Sequence, residues 1–181
     1  MWILKSVSVH DITLGTTDDY AHNQAWMTLR NSDSIVFQVK ACSDAYIALS
    51  ESFDNTSNAY EIALGTKDNT NSEIRMSVGG ISYLTRPGSV LSCDEYKTFW
   101  ILLIHSTFVD VIVGEGPDVG SNALMHFNDP WGKNVVAVSF STGSESTGSW
   151  RVSNVGGRYT ILNLVSLHFF LYIYNFFYST R

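Results

Sequence analysis

The stretch YEIALGTKDNTNSEIRM, residues 60–76, consists of two alternating apolar and polar runs on either side of an amide-rich centre. Such alternation is typical of β-strands, and the centre has the composition of a turn. If the chain folds back at its middle, Ile62 lies opposite Ile74 on an apolar face. Glu61 then lies opposite Arg75 on the other face, as a cross-strand ion pair that contributes about 0.2–1 kcal/mol. The stretch therefore predicts an antiparallel hairpin in one register, because a slip by one residue would turn the apolar set towards water.

Short segments of the same kind recur on both sides of this hairpin, separated by clusters of Gly, Asn, Asp, Ser and Pro that form turns. The clearest are Ser34–Lys40, Asp44–Ser50, Thr98–His105, Val109–Gly114, Asn122–Phe127, Asn134–Ser141 and Gly148–Val152. No window of eleven or more residues in the first 155 has the period of an amphipathic helix. We therefore predict a single all-β domain at residues 1–157, an antiparallel β-sandwich with a jelly-roll-like arrangement of strands.

The composition limits the classes of partner. The chain has 181 residues, of which 45% are hydrophobic and 15% are charged, and this suits one folded domain. The net charge of −6 and the lack of a basic cluster argue against nucleic acid or an anionic lipid surface as a partner. The cysteines and histidines do not have the spacing of metal ligands, so no metal site is predicted.

Three features leave the cellular compartment open between cytoplasmic and extracellular. Cys42 and Cys93 allow one disulfide but do not require it. The apolar start Met1–Leu4 is too short for the hydrophobic region of a signal peptide, so either the protein is not secreted by that route or its true N-terminus is missing. Asn55-Thr56-Ser57 is an acceptor triplet for N-glycosylation, which matters only if the chain enters the secretory pathway.

The C-terminal segment, residues 158–181, differs in composition from the rest of the chain. It is almost entirely apolar from Ile161 to Tyr178 and is rich in Phe and Tyr. Three interpretations fit it: a membrane anchor, a further part of the fold, or translated non-coding sequence. Asn163 and His168 argue against the anchor, and a membrane partner is predicted only if the anchor is genuine. We favour non-coding sequence, because AT-rich DNA encodes the residue types that dominate this segment.

Six segments follow one another between residues 34 and 153: ACSDAYIALS, YEIALGTKDNTNSEIR, DEYKTFWILL, VIVGEG, FNDP and STGSESTGSW. In this order they resemble the farnesoic acid O-methyltransferase domain family. One departure lies at Thr66 and Lys67, where the family pattern has a second glycine and then an aromatic residue. A ligand contact that the family makes at this point is therefore not expected in the same form here.

The resemblance implies methyl transfer from S-adenosylmethionine to farnesoic acid, giving methyl farnesoate, a step in the juvenile hormone pathway. Similar domains also lie within large proteins that have no methyltransferase role. Two classes of function follow. The first is a recognition module for a carbohydrate, a protein or a small apolar ligand, and the second is an S-adenosylmethionine-dependent O-methyltransferase.

The stretch VDVIVGEGPDVG, residues 109–120, is the one candidate for a cofactor loop, with Gly114 and Gly116 as its weak cofactor-binding candidates. A Rossmann-type donor site needs a helix after the glycines, so that the helix N-terminus receives the cofactor. Here the strand-like run NALMHF follows instead. The pattern predicts a turn between two antiparallel strands, and we therefore favour the recognition module, with no catalytic residue and no cofactor.

A ligand surface is predicted at turn residues whose side chains suit recognition. These are Asn69 and Asn71 in the polar turn of the hairpin, and Asp129 and Trp131 in HFNDPWGK. Asn69, Asn71 and Asp129 have a structural alternative, since Asn and Asp also form and cap turns. Other tryptophans, such as Trp100 and Trp150, lie at strand positions and are predicted to belong to the core.

Overall fold

The computed structural model describes residues 11–16, 26–29, 33–53, 55–143, 146–153 and 161–162. Within these residues two antiparallel β-sheets pack face to face, so the predicted all-β sandwich is confirmed. The jelly-roll-like arrangement stays a prediction. Among the residues described, no helix has the length and hydrophobicity needed to cross a membrane.

The two sheets differ in size and are named here as sheet A and sheet B. In sheet A the strand order is β1 (Asp11–Thr16), β12 (Gly148–Ser153), β3 (Ser34–Ala41), β8 (Ser92–His105), β9 (Val109–Glu115) and β10 (Ala123–Asp129). In sheet B the order is β13 (Ile161–Leu162), β2 (Trp26–Thr28), β11 (Ala137–Thr142), β4 (Ala45–Ser50), β5 (Ala59–Gly65), β6 (Asn71–Arg75) and β7 (Ser82–Pro87). Strands β7 and β10 lie at the edges of their sheets.

The core between the sheets consists of the inward-facing residues of both. Its centre is aromatic: Phe37 of sheet A lies 5.7 Å from Phe140 of sheet B, and Phe140 lies 4.9 Å from Trp150, between ring centroids. Trp150 is fully buried and its Nε1 donates to Thr16 Oγ1 at 2.9 Å, which satisfies the one polar atom of the ring. The prediction that this tryptophan belongs to the core is confirmed.

Trp100 is also fully buried, but it is not part of the cluster between the sheets. It pairs with Gly114 of β9, and its Nε1 donates to the carbonyl of Ser121 at 2.9 Å. The β9–β10 loop that contains Ser121 therefore takes part in covering this ring. Burial of Trp100 is confirmed, and it is achieved by a loop and not by the opposite sheet.

The predicted hairpin is confirmed in its register. Glu61 pairs with Arg75, and Ile62 pairs with Ile74, across β5 and β6. The charged face is not open to water, however, because Glu61 is fully buried. Its Oε2 accepts from Arg75 Nη1 at 2.9 Å and from the backbone N–H of Gly79 at 3.1 Å, so the segment after β6 covers it.

The turn of this hairpin has a left-handed backbone. Residues Thr66–Asn69 form the turn, labelled α1, in which Lys67, Asp68 and Asn69 have positive φ angles. Asn and Asp tolerate this left-handed conformation better than other non-glycine residues do. The chain therefore reverses within the amide-rich centre, as the sequence predicts.

Three strands lie outside the segments that the sequence predicted to be strands: β1, β2 and β7. Strand β2 is only three residues long, and β7 ends at Pro87. Such segments become strands because a neighbouring strand offers backbone hydrogen bonds. The neighbour of β1 is β12, that of β2 is β11, and that of β7 is β6. Ile161 and Leu162, within the predicted separate tail, pair with β2, and the rest of that tail lies outside the described residues.

Cys42 and Cys93 form a disulfide, which settles the pairing that the sequence left open. It joins the turn after β3 to the second residue of β8, across 51 positions of sequence. Closing a loop of this length lowers the entropy of the unfolded chain and stabilises the fold by about 4 kcal/mol in the chain-entropy model.

Candidate recognition surface

The four residues predicted to bind a ligand fall into two groups, one near each end of β5. Asn69 and Asn71 lie at the turn after the last residue of β5. Asp129 and Trp131 lie near its start, where Asp129 contacts Tyr60. An extended strand rises about 3.3 Å per residue, so about 17 Å of β5 separates Tyr60 from that turn. The structure therefore does not bring all four residues together.

Asn69 is held by the chain itself. Its Oδ1 accepts from the backbone N–H groups of Val90 and Leu91, both at 3.1 Å, and its Nδ2 donates to the carbonyl of Leu91 at 2.9 Å. Asn71 begins β6 and pairs with Pro87, and its carbonyl accepts from Thr66. Asn69 thus fastens the segment before β8 to the hairpin turn, and ligand binding by these two residues stays a prediction.

Asp129, the last residue of β10, points inwards and is 1% exposed. Its Oδ2 accepts from the Tyr60 hydroxyl at 2.7 Å, and its Oδ1 accepts from the backbone N–H of Trp131 at 3.1 Å. The Tyr60 oxygen accepts in turn from the backbone N–H of Lys133 at 3.0 Å. Burial raises the pKa of Tyr60, and the bond to Asp129 raises it further, so the hydroxyl stays a donor. Two buried side chains therefore fix the backbone from residue 129 to residue 133.

Trp131 stands on this fixed turn with its side chain in solvent, and it is 86% exposed. The next residue, Gly132, has φ +60°, and a Cβ there would lie 2.7 Å from Cγ2 of Val109. A side chain at this position would be strained and would displace Val109, so glycine is favoured here. The turn packs against β9 in this way while the indole is held away from the core. Tryptophan is highly buried on average in folded proteins, so a tryptophan with this exposure is uncommon.

Polar groups lie around the base of the Trp131 turn. Lys133 Nζ donates to Asn58 Oδ1 at 2.8 Å, and Asn58 Nδ2 donates to Glu51. The other carboxylate oxygen of Glu51 accepts from the backbone N–H of Asn134 at 2.8 Å. These bonds join the β4–β5 loop to the β10–β11 loop. We call the indole and these groups the Trp131 surface: Glu51, Asn58, Trp131, Lys133 and Asn134.

Of this surface, the sequence predicted Trp131 and the neighbouring Asp129 but not the polar groups. Among these polar groups, Lys133 could have been found from the sequence, because it lies two positions after Trp131 in the same predicted turn. Glu51 and Asn58 belong to a different loop, and their approach to Lys133 depends on the packing of β5 against the end of β10. No motif in the sequence records that approach.

The glycine-rich stretch is confirmed as a turn between antiparallel strands, since β9 pairs with β10 in that direction. Gly114 lies within β9 and is buried against Trp100, whereas Gly116 lies in the turn with φ +100°. The N–H of Gly116 donates to the carbonyl of Thr98 at 2.8 Å. Among the described residues, no group of three or more His, Cys, Asp or Glu side chains is arranged to hold a metal ion.

Several solved structures are similar to this chain at low sequence identity. A galectin, LEC-6 from Caenorhabditis elegans, is 11% identical with a TM-score of 0.44, over 80% of this chain and 96% of that one. The Emp47p carbohydrate recognition domain is 10% identical with a TM-score of 0.43, over 83% and 90%. The carbohydrate-binding module CBM66 from Bacillus subtilis is 7% identical with a TM-score of 0.40, over 82% of each chain.

Sequence comparison gives a family assignment. No curated protein matches the chain. Residues 16–155, however, match the family described as farnesoic acid O-methyl transferase. The match begins at the end of β1, before the first segment that carried the resemblance, and ends just after β12, so it includes most of both sheets. The chain therefore belongs to the farnesoic acid O-methyltransferase family.

Proposed function

We propose that this domain is a non-catalytic recognition module that binds a carbohydrate at the Trp131 surface. The observation that carries the proposal is the 86% exposure of Trp131 on a turn fixed by the buried pair Tyr60 and Asp129. An exposed indole gives a flat apolar face, and a pyranose ring presents a matching face of C–H groups. Tryptophan is also among the residues that dominate binding energy at recognition surfaces.

The rigidity of the turn supports this proposal because it lowers the entropic cost of binding. The backbone N–H groups of Trp131 and Lys133 are both bonded to buried side chains, and Gly132 packs against Val109. A ligand that stacks on the indole therefore does not have to order the loop first. Preorganisation of this kind raises affinity without adding contacts.

The polar groups at the base of the Trp131 turn supply what sugar hydroxyls need. Glu51 offers acceptor oxygens, Asn58 offers both donor and acceptor atoms, and Lys133 offers an ammonium donor. These groups already bond to one another, so a sugar hydroxyl would join an existing network. An apolar platform with a few placed polar groups is the usual composition of a small-ligand site.

A glycan array probed with the purified domain, followed by calorimetric titration of the best oligosaccharide, tests the proposal. Trp131→Ala is expected to abolish binding while the thermal unfolding midpoint stays unchanged, because the indole is solvated. Trp131→Phe is expected to retain part of the affinity. Val119→Ala, on the β9–β10 loop, is the control and is expected to bind as the wild type does. Binding of the alanine variant at wild-type affinity, or no binding of any oligosaccharide, would refute the proposal.

The family assignment favours one alternative, S-adenosylmethionine-dependent methylation of farnesoic acid. The donor would need close backbone approach, for which Gly114 and Gly116 are the candidates. The N–H of Gly116 is already donated to Thr98, and strand β10 follows where a donor site has a helix. Titration with S-adenosylmethionine is therefore expected to give no heat of binding. Binding that Gly116→Val abolishes would favour the enzyme over the recognition module.

A further inference from the structure

Asn55 lies in the β4–β5 loop as the first residue of the triplet Asn55-Thr56-Ser57. Its Oδ1 accepts from the backbone N–H groups of Ser57 and Asn58, both at 3.2 Å, and its carbonyl accepts from Ser50 Oγ at 2.7 Å. Its Nδ2, by contrast, donates to no other residue in the described part of the chain. The backbone and the amide oxygen are therefore engaged, and the nitrogen is the free end of the side chain.

The geometry of this side chain is compatible with an N-linked sugar. The linkage replaces one hydrogen of Nδ2 and leaves the amide oxygen as an acceptor. Both hydrogen bonds from Oδ1 to the turn would therefore persist in the modified protein. Asn55 is partly exposed and Ser57 is exposed, and the loop lies outside the strands, so a bulky group displaces no part of the core.

The disulfide is an independent observation on the compartment. Cys42 and Cys93 are both exposed, so a reducing environment would have direct access to the bond. Disulfides of this kind form and persist in secretory and extracellular compartments and are rare in the cytosol. These are also the compartments in which asparagine in an Asn-x-Ser/Thr triplet receives a glycan.

We propose that Asn55 is an N-glycosylation site and that this domain matures in an oxidising secretory compartment. In the transfer, Nδ2 forms a bond to the anomeric carbon of an oligosaccharide carried by a lipid diphosphate. The bond between that carbon and the diphosphate oxygen breaks, Nδ2 loses one proton, and the lipid diphosphate leaves. The hydroxyl of Ser57 completes the acceptor triplet. This inference does not depend on what the Trp131 surface binds.

Two measurements test it. In the protein purified from its natural source, treatment with peptide N-glycosidase in heavy-oxygen water is expected to label position 55, and the peptides joined by Cys42 and Cys93 are expected to be disulfide-linked. In secreted full-length protein, removal of the glycan is expected to increase gel mobility for the wild type. The variants N55Q and S57A are expected to run at the position of the deglycosylated wild type.

Thr56→Ala is the matched control, because it changes the middle residue of the triplet and leaves an acceptor sequence intact. It is expected to retain the glycan in full. S57A keeps Asn55 and the backbone N–H that bonds to Oδ1, so its loss of glycan separates modification from folding. Unmodified Asn55 in natural protein, or wild-type secreted protein that the glycosidase leaves unchanged, would overturn the proposal.

Discussion

The indole of Trp100 on β8 occupies the space beside Gly114 on the neighbouring strand β9. A Cβ at Gly114 would lie 2.1 Å from Cζ2 of that ring, a separation at which two carbon atoms collide. The glycine that gives the stretch its likeness to a cofactor loop therefore has a packing role. It makes room for a fully buried tryptophan whose Nε1 is bonded to the β9–β10 loop.

Gly114→Ala is therefore expected to destabilise the domain by about 1–3 kcal/mol or more, because an overpacked core forces the ring or the strand to move. The free energy of unfolding in urea measures this. Gly15→Ala is the control, since a Cβ there meets no atom within 4 Å. A Gly114→Ala domain as stable as the control would show that the ring has room to shift.

Tyr60→Phe is expected to lower stability by about 1–3 kcal/mol, because it leaves buried Asp129 without the donor on its Oδ2. It also removes the acceptor for the N–H of Lys133. Tyr83→Phe serves as the control, since Tyr83 is 61% exposed. Urea denaturation measures both variants. If the proposed function is correct, Tyr60→Phe also weakens carbohydrate binding, because the turn under Trp131 loosens.

Arg75→Met is expected to cost about 3–5 kcal/mol of stability, because it leaves the fully buried carboxylate of Glu61 without its cation. Arg75 also pairs with Glu73 at 2.7 Å, so two carboxylates lose a partner. The control is Arg86→Met, on the edge strand β7. It also removes one positive charge, but Arg86 forms no ion pair with any of the described residues. Thermal unfolding of the two variants is compared, and equal stability would contradict the assigned role.

Removal of the disulfide by the double substitution of Cys42 and Cys93 to Ala is expected to lower the free energy of unfolding by about 4 kcal/mol. Urea denaturation of the wild type with and without a reductant gives the same comparison without substitution. The double variant is expected not to respond to the reductant. A wild-type protein that does not respond either would show that the bond is absent in solution.

Tyr96 is expected to ionise at a lower pH than an ordinary tyrosine. Ser149 lies 2.9 Å from its hydroxyl and can donate to the phenolate, and Arg151 and Lys40, close to the ring, lower the pKa further. Ser149→Ala and Arg151→Gln are each expected to shift the titration to higher pH, because each removes a cause of the lowered pKa of Tyr96. Ultraviolet difference titration against a Tyr96→Phe variant follows this one group. Lys67→Gln, in the remote turn α1, is expected to leave it unchanged.

Only part of the candidate surface could be predicted from the sequence. Trp131 and Asp129 were identified because an aromatic and an acidic residue next to a proline indicate a turn with recognition chemistry. The sequence did not show that Asp129 points into the core and Trp131 out of it. That division depends on Tyr60, which lies 69 positions earlier in the chain and holds the carboxylate.

The sequence by itself determined the all-β class and the register of the hairpin at residues 60–76, because side-chain alternation is a local property with a period of two. Only the tertiary structure decided which strands complete the sheets, why Glu61 is buried, how the cysteines pair and where Lys133 meets Asn58. Each of these depends on contacts between segments far apart in the chain, and such contacts exist only once the two sheets have packed together.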